Sequence, residues 1–123
     1  MRQLLDTNAL LWFVWGDSKR ISPGLKARIE VGAMVSIASF WEIAIKKALG
    51  KLQAPDDLPT RVQAMGFELL AIELEHAWAL HDLPQHHRDP FDRLLIAQAR
   101  IESLVLLTAD PAFDAYDVDV AWG

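Results

Sequence analysis

Apolar positions run along this chain in two rhythms. Short, nearly continuous apolar runs alternate with longer stretches in which apolar residues recur at steps of three and four. Gln3 to Asp6, Met34 to Ala38, Phe67 to Ile72 and Leu104 to Thr108 belong to the first kind and predict four strands, with a short fifth over Val118 to Trp122. The second kind predicts helices. One is opened by Asn8 and stops near Gly16. "SPGLKARIEVG" places Ser22 as a cap, Pro23 at the first helical position and Gly32 past the end. Further helices are predicted from Ser39 to Gly50, from Leu58 to Met65 and from Glu73 to His81. In "DPFDRLLIAQARIE", Phe91, Leu94, Leu95 and Ala99 fall near helical spacing. Strands that are apolar on both faces and alternate with helices predict an α/β domain whose central parallel sheet is covered on both sides. Binding sites in such sheets form beyond the C-terminal ends of the strands.

One polar interruption breaks the pattern. In "LLDTNALLWFVW", Asp6, Thr7 and Asn8 stand where a buried strand runs into a buried helix. A carboxylate there is costly to desolvate unless something pairs with it. Thr7 and Asn8 can each cap the helix, which leaves Asp6 without a capping task. Other acids occupy comparable places. Glu42 lies one turn into the helix after strand two, Asp89 and Asp92 begin the late helix, and Asp110 follows strand four by two residues. Parallel strands would point most of them toward one edge.

Taken singly, each of these other acids reads as a helix-terminus device. Ser39 and Glu42 fit a capping box. Asp89-Pro90-Phe91-Asp92 and Asp110-Pro111 fit a cap followed by proline. Taken with Asp6 they read as a metal site. Mg²⁺ and Mn²⁺ prefer oxygen ligands, and converging acids can hold one or two such ions. Thr7 and Asn8 would support Asp6 through hydroxyl and amide hydrogen bonds. Metal of this kind activates water and stabilises charge on a phosphodiester undergoing displacement.

Bulk properties narrow the setting. The 123 residues suit one domain spanning 1–123, and 52% apolar with 24% charged residues reads as globular. No stretch approaches the ~20 apolar residues of a membrane span, and no signal peptide is expected. The absence of cysteine excludes thiolate chemistry and is compatible with the cytosol. A formal net charge of −5 is wrong for a protein that simply coats nucleic acid. Any nucleic-acid function must therefore rest on a local basic patch or on bound cations.

Four stretches occur in one order across nearly the whole chain: "LLDTNALLW", "SFWEIAIKKALGKL", "HRDPFDRLLIAQA" and "LLTADPAF". The set resembles the PIN-domain ribonucleases, in particular the VapC toxins of bacterial toxin–antitoxin pairs. By that resemblance Asp6, Glu42, Asp92 and Asp110 match the family's metal-binding, catalytic quartet. Thr7, Asn8 and Thr108 match polar positions that brace it, and Asp89 reads as a cap or an outer-sphere acid. The resemblance implies a three-layer α/β/α sandwich with a parallel sheet. It also implies Mg²⁺- or Mn²⁺-dependent cleavage of RNA by metal-activated water, a homodimer, a cognate antitoxin partner, no membrane and a cytoplasmic location.

Other residues carry bland readings beside sharp ones. Lys46, Lys47 and Lys51 can touch phosphates or simply complement a helix C-terminus. Arg93 can bind phosphate or pair with a neighbouring acid. His86 and His87 form a poor zinc pair without cysteine or a spaced third ligand, and solvent contact is their default. Trp12, Phe13, Trp15, Phe40 and Trp41 can stack on bases, but burial or a partner surface suits most of them better. A phosphoacceptor receiver domain lacks its late lysine here. A haloacid-dehalogenase-like phosphatase would need an acid where Asn8 stands. The remaining alternative is a non-catalytic PIN-like binding module acting through its apolar helices.

Overall fold

A computed structural model describes residues 2–123. The elements are β1 (Gln3–Leu5), α1 (Thr7–Trp15), α2 (Pro23–Val31), β2 (Met34–Ser36), α3 (Ile37–Ala48), α4 (Leu58–Ala64), β3 (Glu68–Leu70), α5 (Leu74–Trp78), α6 (Pro90–Ile101), β4 (Val105–Leu107) and β5 (Val120–Ala121). Single 3-10 turns follow α5 (Ala79–His81) and β4 (Pro111–Ala115).

All five strands pair in parallel, in the order β3-β2-β1-β4-β5. The sheet divides two apolar layers by strict alternation along each strand. Leu5, Val35 and Leu107 face a core built with Ala9, Leu10, Leu25, Ile29 and Val62 from α1, α2 and α4. Leu4, Met34 and Leu106 face the other, built with Leu94, Leu95 and Ile96 of α6 and with Phe113. This is an α/β/α sandwich, as the two-faced apolar strands predict. Gln3, polar but buried, latches α2 onto the sheet by donating to the carbonyls of Arg28 and Gly32 at 3.0 and 2.9 Å.

The chain builds outward from β1 through β2 to β3, then returns to the other side of β1 with β4. The order therefore reverses at β1, and the C-terminal ends of β1 and β4 lie side by side at this switch point, where binding sites form in such sheets.

Several element ends depart from the sequence reading: β3 (Glu68–Leu70), β4 and β5 are each shorter than expected, and three further cases have a local cause. The second strand stops at Ser36, not Ala38, because the Ser36 hydroxyl caps α3 by accepting the Ala38 amide at 3.0 Å. Ser39 thus lies inside α3, and the expected Ser39–Glu42 capping box is not formed. The first helix begins at Thr7 with Asp6, not Thr7 or Asn8, as its cap. The helix predicted to His81 gives way at Ala79 to a 3-10 turn.

Candidate metal centre

Each acid of the predicted quartet is delivered by a strand end or a helix start. Asp6 is the residue after β1 and its carboxylate accepts the Ala9 amide at 2.7 Å. Asp6 therefore has the capping task that the sequence denied it. Its second oxygen accepts the Thr108 hydroxyl at 2.5 Å, across 102 positions of sequence. The Thr108 hydroxyl in turn accepts the Asp110 amide at 3.1 Å, so one threonine links the ends of β1 and β4. Asp110 caps its 3-10 turn by accepting the Ala112 amide at 2.9 Å. Glu42 projects from the second turn of α3 and is buried. Asp92 lies in the first turn of α6, behind its cap Asp89, which accepts the amides of Phe91 and Asp92 at 2.8 and 3.1 Å.

The acids feel one another. Burial, repulsion from Asp89, and repulsion from Glu42, Asp6 and Asp110 together push the Asp92 carboxyl up to about 8. Asp6 is pushed up to about 6, mainly by burial and further by Asp110 and Glu42, against the opposing hydrogen bonds from Thr108 and Ala9. Such mutual destabilisation of the charged forms is what a bound cation removes.

The remaining partners are informative. Lys46, one turn beyond Glu42, donates to Glu42 Oε2 at 2.6 Å, and that bond raises the lysine's own proton affinity. Glu42 Oε1 is buried and has no hydrogen-bond partner among the described residues. An orphaned carboxylate oxygen on a residue that repels Asp6 and Asp92, in a chain without cysteine, fits a hard divalent cation of the Mg²⁺ or Mn²⁺ kind.

The supporting residues divide. Thr108 touches Asp6 directly. Thr7 is buried and donates to the Ser39 hydroxyl at 3.0 Å, bracing α1 against α3. Asn8 is exposed and its side chain makes no hydrogen bond among the described residues. Lys47 turns away to Asp56 at 3.2 Å and to the Ala54 carbonyl. Arg93 takes neither role expected of it. It is buried and donates to the carbonyls of Leu80, Leu83 and Pro84 and to the Tyr116 hydroxyl.

His87 departs from the solvent contact expected of it. Its Nε2 stands 3.0 Å from Asp92 Oδ2 and 3.9 Å from Asp110 Oδ2, and its side chain is only 19% exposed. The available signal was its place just before the cap of a helix whose first turn enters the site. His86, by contrast, is exposed and lies edge-on to Tyr116. A separate cavity of about 400 Å³, lined in part by Arg2, Gln3, Met34 and Glu68, opens at the opposite, N-terminal end of the strands and shares no residue with the acids.

The PIN-domain family profile matches residues 4–119. No curated protein sequence matches the chain. Solved structures with the same fold include VapBC2 from Rickettsia felis bound to a DNA fragment from their promoter (TM-score 0.74, 13% identity, 99% of this chain and 98% of that one). A toxin–antitoxin complex from Klebsiella pneumoniae matches with a TM-score of 0.65 at 20% identity, over 97% and 95% of the two chains. FitAcB from Neisseria gonorrhoeae matches with a TM-score of 0.69 at 21% identity, over 98% and 96%. At these identities the likeness is one of fold.

Proposed function

This chain belongs to the PIN-domain family, and from that premise we propose that it is a cytoplasmic, metal-dependent endoribonuclease, the toxin of a type II toxin–antitoxin pair. What supports the reading is burial and mutual repulsion among Asp6, Glu42, Asp92 and Asp110, which push two carboxyls up, together with a Glu42 Oε1 that has no partner among the described residues. Those four side chains would hold one or two Mg²⁺ or Mn²⁺ ions. Bound there, the metal supplies an activated water and positive charge at the phosphodiester.

The chain's own groups then have distinct tasks. Thr108 and the Ala9 amide fix both oxygens of Asp6, so its direction is set before a cation arrives. Lys46 neutralises one oxygen of Glu42 and leaves the other free. Asp110, with its side chain 43% exposed, is the acid most open to an entering RNA backbone. Cleavage is expected to leave 5′-phosphate and 3′-hydroxyl ends.

Partners follow from the same premise. The antitoxin reading is supported by the fold shared with toxin–antitoxin complexes. A homodimer is supported by the outward face of α3 and its C-cap, where Ile37, Trp41, Ile45 and the capping Leu49 repeat at every fourth position and are all exposed.

The test is purified protein with total RNA, with and without Mg²⁺ or Mn²⁺, followed by mapping of new 5′ ends. Cleavage should require the cation and vanish in Asp6→Asn. Asparagine still accepts the Ala9 amide, so that variant should fold normally. Full activity in Asp6→Asn would overturn the assignment. Metal-indifferent protein with no cleavage would favour the non-catalytic binding module.

A further inference from the structure

The structure assigns His87 a task at the acidic centre: we infer that it is a positioning residue that presents an Nε2 proton to Asp92 and Asp110, and not a ligand of the cation. The inference rests on the metal-centre reading above. His87, Asp92 and Asp110 offer atoms that all lie within 4.8 Å of one another, which by distance alone also describes a three-ligand metal site. The other ring nitrogen decides between the two. Nδ1 accepts the backbone amide of Asp89 at 3.1 Å. A nitrogen that accepts cannot carry the ring proton, so in the neutral imidazole the proton resides on Nε2. Nε2 is the atom that faces the two carboxylates, at 3.0 and 3.9 Å. Ligation through Nε2 would move the proton to Nδ1, straight against the Asp89 N–H.

The ring is held in that attitude from several sides. The His87 amide donates to the Tyr116 hydroxyl at 2.8 Å, and the same hydroxyl accepts from Arg93 at 3.3 Å. Phe113 lies edge-on to the imidazole at 5.9 Å. Asp89 thus serves twice. Its N–H sets the tautomer of His87, and its side chain caps the helix that carries Asp92. An N–H facing Asp92 Oδ2 occupies that oxygen and leaves Oδ1 for the cation, which is how outer-shell donors orient metal-binding groups.

Two measurements test this on the intact protein. Long-range ¹H–¹⁵N correlation spectra of the wild type, cation-free and with Mg²⁺ at one fixed pH, should show the His87 proton on Nε2 in both. Mn²⁺ binding, followed by the paramagnetic resonance of free Mn²⁺, should weaken about 10–100-fold in His87→Ala. His87→Gln, whose amide nitrogen can reach the Nε2 position, should recover most of that loss. A proton on Nδ1, an alanine variant that binds Mn²⁺ as tightly as wild type, or a glutamine variant that recovers nothing would overturn the inference. A wild-type protein that binds no Mn²⁺ would instead sink the metal reading, while the spectrum, taken without any cation, still decides the tautomer.

Discussion

Asp92 and Asp6 are the residues where folding and function conflict. Both carboxyls hold a proton more tightly in the folded chain than in the unfolded one, at about 8 and about 6 respectively. A raised acid binds more protons when folded, so stability falls as pH rises from the ordinary carboxyl range, about 4, through those two values. The cation-free protein should therefore show a lower Tm at about pH 8 than at about pH 5. Saturating Mg²⁺ or Mn²⁺ should flatten that slope, because the cation stabilises the charged forms. Asp92→Asn should flatten it without any metal. Thermal unfolding across that pH range, with and without cation, checks all three outcomes. A cation-free Tm that climbs across the same range would contradict the electrostatic account.

At the level of elements, α6 depends on a residue that points away from the chemistry. Arg93 reaches out of the first turn of α6 to three carbonyls between Leu80 and Pro84 and to Tyr116. It thereby ties the segment after α5, the start of α6 and the turn after β4 into one unit. Arg93→Ala should cost about 3 kcal/mol in urea unfolding, since several buried acceptors lose a charged donor at once. Arg93→Lys should recover only part of this, because one ammonium cannot serve the spread of acceptors that a guanidinium fork does. At the start of α3, Ser36 has a similar double role. It caps the helix and donates to Gln98 of α6 at 2.5 Å. Both cases show side chains of α6 fixing the orientation of the helices that carry acids.

Over the whole molecule, negative charge and exposed apolar surface act together. A net charge of −5 leaves RNA attraction to local features, and the acids themselves repel phosphate until a cation neutralises them. Under the proposed nuclease function, metal should govern RNA binding as well as cleavage. The apolar stripe on α3 lies on the helix that supplies Glu42, so a second copy packed there would border the proposed metal centre. On the proposed homodimer, Ile45→Asp should give a monomer in light scattering coupled to size exclusion, without lowering helical content by circular dichroism. A dimer that survives this change would place the interface elsewhere.

The apolar rhythm was enough to determine the order of strands and helices along the chain and the parallel two-faced sheet. These follow from local periodicity and from short-range turn chemistry at residues such as Pro23, Asp89 and Pro111. Asp6, Glu42, Asp92 and Asp110 stand out in the sequence near strand ends and helix starts, and the family resemblance singles them out as the proposed quartet. The cap of α1, the orphaned oxygen of Glu42, the inward turn of Arg93 and the place of His87 between two acids were decided only by the folded chain. Each depends on groups far apart in sequence, or on which way a side chain turns once its neighbours are packed. The tie from Thr108 to Asp6 has no local signature at all, since only the sheet brings the ends of β1 and β4 side by side.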